Sequence, residues 1–146
     1  MATPQLGQSG NPFVGSWSYR SFLNEADLNK KPDDLLFGQG TIQLNEAATD
    51  RLSGTIGGPG WSLDLHGSLS YGSPMEARFQ GQGIVGGAEW IYGYVAWLVP
   101  VWPNSTVALQ KAAMVGSVTR VIAHPSGGGG VSPAGVVASF FCVRQA

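Results

Sequence analysis

The chain has 146 residues, of which 43% are hydrophobic and only 12% are charged, and its net charge is −1. This length suits a single domain with its own core. The eight basic residues are scattered and form no cluster, which argues against a nucleic-acid-binding protein. Since charged residues make up about 25% of an average protein, their scarcity indicates strands buried on two sides or an outer surface covered by a partner.

The N-terminal segment and the cysteine content bear on the compartment. Residues 1–12 are polar, and we expect them to form a flexible N-terminal segment rather than a secretory signal. No apolar run approaches the roughly 18 residues that a membrane helix needs. The single cysteine, Cys142, has no internal partner for a disulfide, which favours a reducing compartment. We therefore expect a cytoplasmic protein without a membrane span.

Turn residues interrupt the chain about every ten residues, because it contains 22 glycines and nine prolines. Helix-period stretches are almost absent, and the one candidate, residues 24–36, is polar and contains Pro32. The runs between the turns are rich in β-branched and aromatic residues and are typical of strands. In chain order, the predicted strands are residues 13–23, 35–45, 51–57, 61–71, 75–85, 88–99, a strand within 107–124, and 134–144.

Short connections between these runs favour an antiparallel meander. A meander of this many strands leaves two exposed edges unless it closes on itself, and closure removes the aggregation hazard of open edges. We therefore predict an all-β fold, a closed antiparallel up-and-down barrel of about eight strands over residues 13–146. A two-sheet sandwich is the alternative. A barrel of eight strands can hold one small ligand.

Alternation of side chains along a strand predicts which residues face the interior. The fourth strand is the clearest example, and its apolar face consists of Trp61, Leu63, Leu65, Leu69 and Tyr71. The sixth and eighth strands are apolar on both faces, and such strands are usually covered on both sides. The cover could be the N-terminal segment, a short helix or a second copy of the chain, which would make a homo-oligomer.

Residues on the predicted inward faces are the candidates for a binding site. They are Trp17, Tyr19, Trp61, Phe79, Trp90, Tyr92, Tyr94, Met114, Arg120 and Phe140. Ordinary core packing explains the same set, so both interpretations stay open. Buried tyrosine hydroxyls need partners, and Arg120 could serve Tyr92 and Tyr94 if it faces inward. Arg120 could also bind a carbonyl or carboxylate group of a ligand.

Few side chains suggest catalysis. The candidate acids, bases and electrostatic catalysts are Tyr94, Arg120 and Glu89, the last at the rim of the barrel. His66 lies on the polar face of the fourth strand and is expected to be solvated, and His124 is expected to be an exposed loop residue beside the glycine run 127–130. The two histidines and one cysteine lack metal-ligand spacing, and no phosphate-binding or nucleophile motif occurs. We therefore predict no metal and no cofactor.

The first predicted strand contains Gly15-Ser16-Trp17, and the last one ends with Arg144. A Gly-x-Trp on the first strand resembles the opening of calycin barrels, which include lipocalins, fatty-acid-binding proteins and avidins. In lipocalins a basic residue of the last strand stacks over this tryptophan and closes the barrel base, and Arg144 lies where that residue would be. The chain departs from lipocalins in lacking a clear Thr-Asp-Tyr element and a C-terminal helix. The resemblance implies a calycin-like barrel with a cavity for an apolar molecule.

Three functions are consistent with these features. The first is binding of a small, mostly apolar molecule inside the barrel cavity. The second is a cofactor-independent cyclase or isomerase that orients a flexible substrate in the same cavity, an architecture similar to that of allene oxide cyclases. The third is a structural or oligomerisation module with a filled barrel. The size of the cavity and the polar groups inside it discriminate between these functions.

Overall fold

The computed structural model describes residues 11–145, which form a closed barrel of eight antiparallel strands. The predicted all-β, up-and-down fold is confirmed. The barrel strands are β1 (Gly15–Leu23), β2 (Leu36–Ala48), β3 (Arg51–Gly58), β4 (Trp61–Ser70), β5 (Glu76–Val85), β6 (Ala88–Leu98), β7 (Ala113–Arg120) and β10 (Val137–Val143). Because β1 pairs with both β2 and β10, the sheet has no free edge and the sandwich alternative is wrong.

Two short elements lie outside the barrel wall. A 3-10 helix (Pro32–Leu35) precedes β2, within residues 24–36, the one helix candidate in the sequence. A two-stranded ribbon of β8 (His124–Pro125) and β9 (Val131–Ser132) interrupts the connection between β7 and β10. None of the helices within residues 11–145 is long and apolar enough to cross a membrane.

The predicted flexible segment, residues 1–12, lies outside the described residues except for its last two positions. Asn11 is buried, and its Oδ1 accepts a hydrogen bond from the Phe13 backbone N–H at 3.0 Å. The Pro12 carbonyl accepts a hydrogen bond from Arg144. These two residues are therefore part of the packed base of the barrel.

The inward residues of the eight strands form one hydrophobic core, as the alternation in the sequence predicts. The prediction is wrong for Tyr71, which is 71% exposed and donates a hydrogen bond to Asp50 Oδ1 at 2.7 Å. The reason is that β4 ends at Ser70, so the alternation no longer applies to the residue that follows it. The seventh strand, β7, covers Ala113–Arg120 and lies within the predicted range 107–124.

Candidate functional site

The two ends of the barrel differ. Antiparallel order brings the starts of β2, β4 and β6 to the same end as the last residues of β1, β3, β5 and β7. This end contains a cavity of about 170 Å³ that opens to the outside. Its lining residues are Tyr19, Phe37, Gly38, Trp61, Leu63, Trp90, Tyr92 and Tyr94. We call this end the open end and the opposite one the closed base.

Trp17 and Arg144 seal the closed base. Trp17 is fully buried, and its indole N–H donates to the Phe13 carbonyl at 2.9 Å. The Arg144 guanidinium lies 4.3 Å from the centre of the Trp17 ring and donates to the backbone carbonyl of Val14 at 2.7 Å. Cation–π attraction and hydrogen bonds therefore hold the Trp17 and Arg144 side chains across this end of the barrel and close it.

Gly15 belongs to the same assembly. Its φ of +136° is a conformation that residues with a side chain rarely adopt. A Cβ at this position would also collide with the Arg144 guanidinium. The structure thus brings together Gly15, Trp17 and Arg144, the three residues that were predicted to form the barrel base.

Half of the predicted binding residues line the cavity. Those that do so are Tyr19, Trp61, Trp90, Tyr92 and Tyr94. Phe79 and Phe140 pack beneath the cavity, where their rings contact Tyr94 with centroid distances of 5.1 and 6.1 Å. Trp17 and Met114 are fully buried, and Trp17 belongs to the closed base. The predicted residues are therefore divided between the lining of the cavity and the packed core of the barrel.

Besides Leu63, which was predicted only to face inward, two cavity residues lie outside the predicted binding set, Phe37 and Gly38. Both lie at the start of β2, where the sequence reads Leu-Leu-Phe-Gly and the face of each side chain is ambiguous. Phe37 is half-buried and contacts Tyr92 edge-on at 6.1 Å between ring centres. Gly38 leaves room at the wall, because a Cβ there would meet only side-chain atoms at 3.4 Å or more.

The hydroxyl of Tyr92 is held from two sides. Arg120 Nε donates to it at 2.9 Å, and it lies 2.7 Å from His124 Nε2. The other ring nitrogen, His124 Nδ1, is 2.9 Å from the Pro125 carbonyl oxygen. A carbonyl oxygen only accepts hydrogen bonds, so Nδ1 carries the hydrogen and, in the neutral ring, Nε2 accepts from Tyr92. The result is a directed chain from Arg120 through Tyr92 to His124.

The prediction that His124 is an exposed loop residue is wrong. Its exposure is 6%, and its ring stacks on the Trp90 indole with 4.1 Å between ring centres and 14° between planes. The β8–β9 ribbon carries His124 back to the open end, and the glycine run 127–130 lies in the connection between these two strands. The only signal in the sequence was the position of His124 after an apolar run, which is too common to identify a buried residue.

Arg120 faces the interior at the rim of the open end. Besides Tyr92, its guanidinium contacts the Phe37 ring at 4.9 Å from the centre and the Pro133 carbonyl at 3.2 Å. Arg120 therefore serves Tyr92, one of the two tyrosines for which it was a candidate partner, and not Tyr94.

The hydroxyl of Tyr94 has no hydrogen-bond partner within residues 11–145. The residue is only 4% exposed and lines the cavity, and its ring stacks on Phe79. By contrast, the Tyr19 hydroxyl donates to Ser21 Oγ at 2.8 Å. Burial raises the pKa of both tyrosines, so both hydroxyls keep their protons at neutral pH. Tyr94 therefore offers an uncommitted donor to whatever occupies the cavity.

Glu89, the candidate acid or base at the rim, points away from the cavity. Its neighbour Trp90 faces inward, so alternation directs Glu89 to the outer surface. There its Oε2 accepts a hydrogen bond from Gln82 Nε2 at 2.7 Å, next to the exposed His66. In the described part of the chain, no three His, Cys, Asp or Glu side chains are grouped so that they could hold a metal ion.

No family model, curated protein or solved structure matches this chain. The strand count and the order of the barrel are compatible with a calycin-like fold. Any function must therefore be argued from the cavity and from the groups that face it.

Proposed function

We propose that the barrel binds one small, mostly apolar molecule of one or two rings in its open-end cavity. The observation that carries this proposal is the aromatic-lined space above a sealed base. Its volume of about 170 Å³ is below the roughly 300–1,000 Å³ of pockets for drug-sized ligands. It is close to the ~150 Å³ of an engineered apolar cavity that binds benzene.

The walls of the cavity favour a flat ligand. Trp61 and Trp90 lie side by side, with 6.4 Å between ring centres and 32° between planes. His124 stacks on Trp90, and the plane of the Tyr92 ring is inclined at 60° to that of Trp90. Aromatic rings pack best in offset-stacked or edge-to-face arrangements, both of which a planar ligand can make with these side chains.

One polar atom on the ligand would complete the site. The Tyr94 side chain lines the cavity, and its hydroxyl bonds to no group of the protein within residues 11–145. A ligand oxygen or nitrogen would accept a hydrogen bond from this hydroxyl. The Tyr92 hydroxyl is already engaged by Arg120 and His124, so Tyr94 is the better anchor. The ligand class is thus a flat cyclic molecule with one hydrogen-bond acceptor.

The resemblance to calycins agrees with this proposal. In this barrel Gly15 and Arg144 close the base around Trp17, as the lipocalin pattern implies. Membership of the calycin group is likewise part of the proposal, and it rests on this base and on the closed barrel of eight strands.

The test uses naphthalene and 2-naphthol, which differ by one hydroxyl. Binding is measured by titration calorimetry and by the NMR shifts of the Trp61 and Trp90 indole N–H groups. We expect both probes to bind, and Tyr94→Phe to weaken 2-naphthol about fivefold while leaving naphthalene unchanged, because a net hydrogen bond contributes about 1 kcal/mol. Gly38→Leu should fill the cavity and abolish binding of both, because no backbone atom obstructs a side chain there.

The matched control is Gln80→Leu, which adds an apolar side chain at an exposed position on the outer face of β5. It should leave both affinities unchanged. If neither probe binds the wild-type chain, or if Gly38→Leu binds as well as wild type, then the cavity is not a binding site for this class of molecule and the proposal is wrong.

A cofactor-independent cyclase or isomerase is the second candidate. The observation that favours it is the chain of hydrogen bonds from Arg120 through Tyr92 to His124 beside the cavity. In such an enzyme the cavity would orient the substrate, Tyr94 would donate to a substrate oxygen, and Tyr92 would exchange a proton with the substrate while His124 takes or returns one. No atoms are added or lost overall, so the product is an isomer of the substrate.

Mass spectrometry separates the two candidates. The protein is purified from its host, any carried small molecule is identified by native mass spectrometry, and that molecule is incubated with fresh protein. An enzyme would convert it, or its precursor in a host extract, into an isomer of equal mass and different retention time. Tyr92→Phe should then abolish conversion but retain binding. A molecule that is bound and released unchanged supports the binding protein alone.

A further inference from the structure

A row of apolar side chains crosses the outer surface of β10, β7 and β6. The strand register pairs Phe141 with Val115 and Val115 with Trp97, so the three residues are direct neighbours. Their exposures are 39%, 41% and 36%, which leaves much of each side chain in contact with solvent. Phe22 of β1 extends the patch, since its ring stacks on Phe141 with 12° between planes.

The row ends in opposite charges. Arg20 of β1 pairs in register with Phe141, and Glu76 of β5 pairs with Trp97. Across five strands, the outer row therefore reads Arg20, Phe141, Val115, Trp97, Glu76. Neighbouring strands lie about 4.8 Å apart, so the row extends over about 19 Å. The row is therefore symmetric about Val115 in the type of its apolar side chains, with one aromatic ring on each side. Its two ends carry opposite charges.

We propose that two copies of the chain pack this row against itself about a two-fold axis that runs along β7 at Val115. An axis in this direction reverses the order of the row. Arg20 of each copy then faces Glu76 of the other, Phe141 faces Trp97, and Val115 faces Val115. A two-fold axis along the row would instead place Arg20 on Arg20 and Glu76 on Glu76, so the charges select the first arrangement.

The occupant is a second copy because the row is complementary to itself. A two-fold interface uses the same patch twice, and this patch has the reversed order of charge that such an interface requires. Its centre is aromatic and aliphatic, as the cores of dimer interfaces are. The barrel surface is convex, so the two copies diverge towards the ends of the row, where the longest side chains are found.

Glu76 can still bind Arg20 of the second copy, although it already forms an ion pair within its own chain. Glu76 Oε1 accepts from Arg78 Nε at 3.0 Å, on a neighbouring position of the same strand. A carboxylate has two oxygens and about four acceptor positions, so Arg20 of the second copy can bind as well. Arg20 itself is exposed and belongs to no ion pair within residues 11–145. This inference specifies one of the covers that the sequence left open, a second copy of the chain, and is independent of the ligand proposal.

Sedimentation velocity on the full chain tests the dimer through charge reversal. The wild-type chain should sediment as a dimer, twice the monomer mass of 15.3 kDa. Arg20→Glu and Glu76→Arg should each weaken dimerisation at least tenfold, since each places like charges at both ends of the row. The double variant Arg20→Glu/Glu76→Arg should return the dissociation constant to within about threefold of wild type. Arg51→Glu, at another exposed arginine, is the control and should have no effect.

Two results would overturn the inference. One is a wild-type chain that stays monomeric at 200 µM, which would show that a second copy of the chain does not cover the row. The other is a double variant no better than the single ones, which would exclude the Arg20–Glu76 pairing and therefore this axis. Circular dichroism verifies that each variant is folded. Titration of the single variants with naphthalene keeps the dimer separate from the ligand proposal, because a monomer with an intact cavity should still bind.

Discussion

The closed base and the open end of this barrel use the same kinds of residue in opposite ways. At the base, Trp17 is fully buried and covered by Arg144, and the Trp17 indole N–H and both Arg144 Nη atoms donate to backbone carbonyls of residues 12–14. At the open end, Trp90 is only half-buried and stacks on His124, a residue delivered by a separate ribbon. The base stabilises the barrel, whereas the open end keeps space and polar groups available.

The comparison shows how one sheet provides both stability and a site. Tight packing at the closed base stabilises the folded barrel, so the open end does not need to be packed as tightly. The open end can therefore keep a cavity, which is unfavourable in a folded protein, and the Tyr94 side chain that lines it. Variants at matched positions of the two ends measure this division directly.

The largest difference is expected between the two tryptophans. Trp17→Ala should lower the free energy of unfolding by roughly 3–5 kcal/mol, because it opens a cavity in a fully packed site. Trp90→Ala should cost clearly less, since its ring is half-buried and borders space that is already empty. Urea unfolding followed by circular dichroism measures both values. A loss below 0.5 kcal/mol for Trp17→Ala would contradict the role assigned to the base.

The two inward arginines give the next comparison. Arg144→Met should cost about 2 kcal/mol, because it removes the cation from the Trp17 ring and the donors from two backbone carbonyls. Arg120→Met should cost about 1 kcal/mol, since Arg120 lies at a solvent-accessible rim. Methionine keeps most of the aliphatic stem, so the difference reports the guanidinium. Equal losses for the two variants would show that the base is no more tightly sealed than the rim.

Alkaline pH should destabilise the folded barrel. Burial raises the pKa of Cys142, Tyr19 and Tyr94, so the folded chain holds these protons more tightly than the unfolded chain does. Stability is therefore complete below the unfolded pKa values and falls as pH rises above about 8.5 for the thiol and about 10 for the phenols. Once the unfolded thiol is ionised, the slope from Cys142 is about 1.4 kcal/mol per pH unit.

Cys142→Ala tests the assignment of this slope. The free energy of unfolding of the variant should be nearly flat between pH 8.5 and 10, where only the thiol contributes, and should fall above that range because the two tyrosines remain. Urea unfolding at several pH values provides the measurement, and the slope is compared rather than the absolute stability. An unchanged slope in the variant would show that another group causes the loss.

The smallest effect separates the two buried tyrosines. Tyr19→Phe should cost about 1 kcal/mol, because Ser21 loses a partner. Tyr94→Phe should leave stability within about 0.5 kcal/mol of wild type, since its hydroxyl bonds to nothing in the described chain. Thermal unfolding without added ligand compares them. A cost as large for Tyr94 as for Tyr19 would mean that the Tyr94 hydroxyl already has a partner, and would remove it as the anchor for a ligand.

Local pattern was sufficient to predict the barrel and its base. Two-residue alternation between glycine- and proline-containing turns identifies the strands, because the two faces of a strand meet different surroundings wherever it pairs. It fails where a strand ends, as at Tyr71, since the alternation depends on the extended backbone. Gly15, Trp17 and Arg144 could be found because their spacing along the chain resembles a known pattern.

Only the tertiary structure decided the contents of the open end. His124 is brought onto Trp90 by a ribbon between β7 and β10, and no period in the sequence encodes where such a connection folds. The same holds for the outer row from Arg20 to Glu76, whose members lie on five strands and become neighbours through register alone. Periodicity along the chain specifies which way a side chain points, whereas contacts between distant strands depend on how the sheet closes.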